Sequence, residues 1–270
     1  MTWKLLLFVT LLAAALPAEE ASLSAEAILD KAVEASGGAK AHAGHRTAVM
    51  RITRRLAFDP SIVLSVAVEQ KAPDLFHARF EARPGAGKAA VLLGEMGCDG
   101  KEPWAVNPHT EFGFLLPDEM QDFRLNGLDA WDWRRHFGSA VLKGRETIGK
   151  QEAYAVVLTP RDPLLSPVTA WIDAGSFRLL RRERTVGLRS CCAEPGDPPK
   201  TRKQLLLLGD WRSVDGVSLP FETRVYVEQA PAEAQVPQEI PGLTLQETDT
   251  VEELKFNVEV GDKAFRKPQD

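Results

Sequence analysis

Asp210-Trp211-Arg212-Ser213-Val214-Asp215-Gly216-Val217-Ser218-Leu219-Pro220-Phe221 is two β-rich runs held apart by a two-residue Asp-Gly. An Asp-Gly pair tolerates the positive φ of a tight hairpin turn, so residues 205–214 and 217–227 are expected to pair antiparallel. The reading extends outward from there. Gly149-Lys150 separates residues 144–148 from 151–159, and Ala174-Gly175 separates 168–173 from 177–186. Upstream, residues 47–58, 62–70, 75–82, 89–94 and 97–107 continue the strands, with an Asp99-Gly100 turn inside the last. Within 47–58, Met50, Ile52, Leu56 and Phe58 fall on one face. Within 75–82, Phe76, Ala78 and Phe80 alternate with Leu75, His77, Arg79 and Glu81. That period of two belongs to a sheet wet on one side.

Two helical stretches interrupt the strands. Residues 24–36 put Ile28, Leu29, Ala32 and Val33 on one face behind a capping Ser24, and Gly37-Gly38 stops the run. So short an amphipathic helix must bury its stripe against the sheet. In the middle, Met120, Phe123, Leu125, Leu128, Trp131 and Trp133 recur at three-to-four spacing around Asn126-Gly127. Two short helices, 118–124 and 128–137, are expected there, as a plug or lid over the sheet. Residues 187–201 and 229–242 read as long loops.

Residues 1–18 have the form of a cleaved export signal: Lys4, an uncharged apolar core over 5–15, then Leu16-Pro17-Ala18. An apolar core of about eleven residues is shorter than the ~20 a spanning helix needs. No Cys follows it to carry a lipid anchor. The expected mature protein is therefore soluble and periplasmic, with residues 19–270 forming a single domain. The chain has 270 residues and a formal charge of −5, with no basic block for phosphates, which argues against nucleic acid as a partner. Cys98, Cys191 and Cys192 allow one disulfide, either Cys98 with one of the pair or the vicinal pair itself.

Catalytic chemistry is poorly represented. Pro84-Gly85-Ala86-Gly87-Lys88-Ala89 imitates a phosphate loop, but Ala82 and Ala89 occupy its Gly and Ser/Thr positions. His42 and His45 are three apart without an acidic residue to complete a metal set, and Gly44 breaks the helix between them; a solvated linker is the simpler reading. His77, His109 and His136 are scattered, and no Gly-x-Ser-x-Gly occurs. No enzyme, metal or cofactor is expected. The better candidates are aromatic: Trp104, Trp131, Trp133, Trp171, Trp211 and Phe221 are expected to line an apolar cavity.

These strings add up to a resemblance. Ile28-Leu29-Asp30-Lys31-Ala32 through Ser36-Gly37-Gly38, Asp99-Gly100-Lys101-Glu102-Pro103-Trp104-Ala105-Val106-Asn107-Pro108, Trp171-Ile172-Asp173, Leu179-Leu180-Arg181 and the opening Asp210–Phe221 string are similar to segments of the exported lipoprotein-sorting (LolA/LolB-like) family. Gly144-Arg145-Glu146, Ala153-Tyr154 and Lys263-Ala264-Phe265-Arg266-Lys267-Pro268 fit the same order, so the resemblance covers nearly all of residues 19–270. It implies an α+β, mainly antiparallel fold: an unclosed β-barrel with short helices plugging its concave face. It also implies a non-enzymatic carrier or chaperone of lipid acyl chains or lipoproteins, monomeric, touching membranes transiently. The alternative is an envelope interaction or sensor domain that uses the same fold to engage a protein partner.

Overall fold

Asp215 and Gly216 both adopt positive φ, 47° and 84°, as the tight turn between β10 (Thr201–Val214) and β11 (Val217–Glu228) requires. A computed structural model describes residues 23–82, 89–106, 128, 130–187, 201–228 and 239–268. The export signal, the 118–124 helix, the imitation phosphate loop apart from Ala89, and Cys191 and Cys192 lie outside the described residues. So do the interiors of the loops at 187–201 and 229–242. Cys98 is described, buried near the end of its strand.

The earlier strands are β1 (Thr47–Leu56), β2 (Val63–Lys71), β3 (Leu75–Ala82), β4 (Val91–Asp99) and β5 (Pro103–Val106). After a short helix α3 (Trp133–His136) come β6 (Phe137–Ile148), β7 (Gln151–Pro160), β8 (Val168–Asp173) and β9 (Leu179–Gly187). A final strand, β12 (Leu243–Phe256), follows β11. All twelve form one antiparallel sheet in the order β5-β4-β3-β2-β1-β12-β11-β10-β9-β8-β7-β6. β5 and β6 are its edges, and the sheet does not close. It is an open half-barrel.

Two expectations are revised. Residues 128–137 were expected to form one helix, yet only Trp133–His136 is helical. Phe137 instead opens β6, opposite Pro160. β6 thus begins seven residues before the expected Gly144, and its edge position explains why. Ser139, Val141 and Lys143 face solvent along it, and a bulge between Leu142 and Gly144 breaks the alternation. β12, for which no strand was expected, lies at the centre of the sheet and pairs with β1 from Ala48↔Phe256 to Leu56↔Glu247.

Two helices sit on the concave side. Helix α1 (Ala25–Ala35) is capped by Ser24, whose Oγ accepts from the Ala27 N–H at 3.1 Å. Its Ile28 and Leu29 are buried with Val156, Leu158, Val168, Ala170 and Ile172 of β7 and β8. Gly37 then turns the chain into α2 (Gly38–Ala43) with φ 120°. A Cβ on Gly37 would lie 2.2 Å from the Gly216 carbonyl oxygen, and the Ser36 carbonyl accepts from Ser218 N–H at 2.8 Å. Only glycine lets this corner rest on the β10–β11 turn.

Candidate functional site: an apolar cavity on the concave face

The sheet's inner face and the helices enclose a cavity of about 580 Å³, within the range typical of small-ligand sites. Alternation decides which side chains reach it. β1 contributes Met50, Ile52 and Arg54, β2 Val66 and Val68, β3 Ala78 and Phe80, and β4 Met96. From the other half come Leu206 and Leu208 of β10, Phe221 and Val225 of β11, and Val251 of β12. Leu29, Ala32 and Val33 of α1 and Leu128, Ala130, Trp131 and Trp133 complete the wall.

Four of the six expected aromatic residues meet here: Trp131, Trp133, Trp211 and Phe221 line the cavity. Trp131 stacks on His42 with centroids 6.0 Å apart. The Trp133 Nε1 donates to Asp30 Oδ1 at 3.2 Å, and Asp30 also holds Arg134 through bonds of 2.6 and 2.9 Å. That cluster ties α3 to α1. The Arg212 guanidinium lies 4.6 Å from the Phe221 ring centroid.

The other two aromatics face away. Trp104 pairs with Gly97, across from His77, on the convex side. Its Nε1 donates to the Phe265 carbonyl at 2.9 Å, under the 3₁₀ turn Asp262–Phe265. Trp171 alternates with the cavity-lining Ala170 and Ile172 and so points outward, packed with Ala153 and Ala155. There its Nε1 donates to Glu146 at 2.8 Å beneath the Arg181 guanidinium. Both are therefore corrected from cavity lining to convex-face packing. Strand parity alone does not reveal this, because β8 is buried on both faces.

The cavity also has polar groups that residue order did not single out. Arg54 makes a two-point contact with Asp249, both bonds 2.8 Å, and reaches Glu247 at 3.2 Å. Arg182, Gln204 and Gln70 lie elsewhere on the wall. His42 and His45, expected in a solvated linker, line the cavity from the α1–α2 side. The His42 Nε2 lies 2.8 Å from Ser36 Oγ, which itself donates to the Val33 carbonyl. Burial, reinforced by His45, pulls the His42 pKa down to about 4, so the ring is neutral near pH 7. The signal for the pair's position was Gly37-Gly38, which turns the chain back over the sheet. Among the described residues, no group of three or more potential metal ligands occurs.

An open antiparallel half-barrel with a helix-covered apolar hollow is the class of protein that this geometry defines. No family model and no curated protein matches the chain. Solved structures do. A LolA superfamily protein from Nitrosomonas europaea superposes with a TM-score of 0.53 at 15% identity, covering 91% of this chain and 99% of the other. A domain from Vibrio parahaemolyticus, described as an outer membrane lipoprotein-sorting protein, gives a TM-score of 0.55 at 12% identity over 89% and 97% of the two chains. A DUF1329 family protein from Desulfovibrio piger gives 0.54 at 14% identity over 91% and 98%. At such identities the likeness establishes the shared fold. Among the described residues, no helix is long and apolar enough to cross a membrane.

Proposed function

We propose that this protein is a non-enzymatic binder of lipid acyl chains or lipoproteins in the cell envelope, exported to the periplasm behind residues 1–18. The observation that carries the reading is the 580 Å³ apolar cavity on the concave face. Each methylene transferred into such a space gains about 0.8 kcal/mol, so roughly ten methylenes supply about 8 kcal/mol before the cost of ordering the chain. The fold shared with the lipoprotein-sorting domain supports the same reading.

Strand directions suggest where a guest enters. The pairings place the β1–β2 and β7–β8 connections at the same end of the sheet, opposite the tight β10–β11 turn. Phe58 and Leu164 stand on those two connections, 79% and 77% exposed. They are the groups we expect to touch a membrane during transfer. Organic extraction of the purified protein followed by mass spectrometry tests the main reading. Stoichiometric acyl lipid is expected. Lipid-free protein that also fails to take up a fluorescent fatty acid would leave the fold as an envelope protein-interaction or sensor domain.

A further inference from the structure

Asn257 settles the tautomer of His45. Its Oδ1 accepts from the Arg46 N–H at 2.9 Å, which identifies the remaining terminal atom as the NH₂ group. That group donates to the Gly44 carbonyl at 3.2 Å and faces His45 Nδ1 at 3.4 Å. Nδ1 therefore accepts, and the ring proton sits on Nε2. His45 is only 9% exposed, its ring stacks on Phe256 at 4.0 Å, and it lines the cavity. Yet Nε2 has no hydrogen-bond partner. It is a buried donor without an acceptor.

Trp211, on the sheet itself, repeats the pattern. It lies on β10 next to the hairpin that carries the α1–α2 corner, it lines the cavity, and its buried Nε1–H has no partner. Indole nitrogen can only donate. His42 supplies the contrast, since its Nε2 has Ser36 Oγ beside it. A buried donor that goes unmade bears the full penalty of losing water, so proteins rarely leave one unless something else supplies the acceptor.

From the two unpaired donors we infer that the cavity selects lipids carrying acceptor oxygens, an ester carbonyl or a carboxylate, which His45 Nε2–H and Trp211 Nε1–H receive. The inference rests on the acyl-binding reading and names the chemistry of the guest within it. A pure hydrocarbon would fill the same space and leave both donors unmade. Ester and free acid share the recognised oxygen, so the two sources need separate probes.

The test uses the whole protein after removal of co-purified lipid. Methyl laurate, laurate and n-pentadecane compete for a bound fluorescent fatty acid, and affinities are expressed relative to the alkane. The probe-to-alkane affinity ratio of at least one oxygenated probe is expected to be about five- to tenfold higher in wild type than in a variant lacking both donors, the gain of one or two net hydrogen bonds. The probe with the larger gain identifies the source. His45→Phe keeps the ring stack on Phe256, and Trp211→Phe keeps an aromatic in place; each should reduce that ratio, and the double variant should lose the whole gain. In ¹⁵N-labelled wild type, the indole resonance that Trp211→Phe removes should move downfield with the oxygenated probe and stay put with pentadecane. A ratio that the variants leave intact overturns the inference while acyl binding stands. Failure of every probe, the alkane included, overturns both.

Discussion

Acidification to pH 5 should destabilise this protein through His42 in particular. In the folded chain burial, with a smaller contribution from His45, holds its pKa at about 4, against an ordinary value of 6.5. As pH falls below 6.5 the unfolded chain takes up a proton that the folded chain refuses until near 4. The stability tied to neutral His42 is therefore complete above pH 6.5, declines below it and is lost under pH 4. By pH 5 a gap of this size amounts to about 2 kcal/mol, and solvent screening of the partly exposed ring reduces that to about 1 kcal/mol. His42→Phe removes the titration and keeps an aromatic against Trp131. Urea unfolding at pH 7 and pH 5 should show wild type losing about 1 kcal/mol more than the variant. Asp30 and Glu239, whose pKa values hydrogen bonds to Arg134 and Tyr226 hold down, titrate in both proteins at lower pH and cancel in the comparison. Parallel losses would refute the argument, because His42 would then be as solvated in the folded chain as in the unfolded one.

Four other perturbations separate the cavity from its surroundings. Phe221→Asp puts a charge into the apolar wall and should abolish retention of acyl lipid on extraction. Trp171→Phe, on the convex face, should leave retention within twofold while lowering stability by about 1 kcal/mol through the lost Glu146 bond. Gly37→Ala forces a Cβ to within 2.2 Å of the Gly216 carbonyl at a φ of 120°. Strain and overpacking together should cost about 2–4 kcal/mol, read as a lower urea midpoint. Arg54→Met leaves Asp249 and Glu247 side by side without their shared cation. The pair is partly exposed, so a loss of about 2 kcal/mol is expected, read as a lower urea midpoint.

What residue order reveals about this molecule is mostly local. The Asp215-Gly216 turn, the capped helix behind Ser24 and the Phe76–Ala78–Phe80 face depend on neighbours within a few positions, and each appears in the structure as expected. Long-range pairings were harder to see. β12 carries Glu247 and Asp249 on its inner face, which hides its apolar alternation. Those carboxylates are tolerated because Arg54 of β1, 195 positions from Asp249, neutralises them. Trp171 was expected on the cavity side and lies on the other, a distinction that β8 hides because it is buried on both faces. His45 looked solvated because its partner Asn257 and its stacking ring Phe256 arrive from the far end of the chain.

The same topology explains why the barrel stays open. β12 zips the last strand to the first at the centre of the sheet, so the two edges, β5 and β6, are consecutive among the described strands. Two consecutive antiparallel strands joined by a tight turn would simply pair, and the sheet would seal upon itself. Here residues 107–136 separate them. The described part of that connection supplies Leu128, Ala130, Trp131 and Trp133 to the cavity wall, and Asp30 of α1 anchors it through Trp133 and Arg134. The described end of that connection thus roofs part of the hollow between the two edges. Among the described residues this cover is a short helix and turns, without the ladder of hydrogen bonds that ties each strand to its neighbour, and it is the part of the enclosure that opens at least cost.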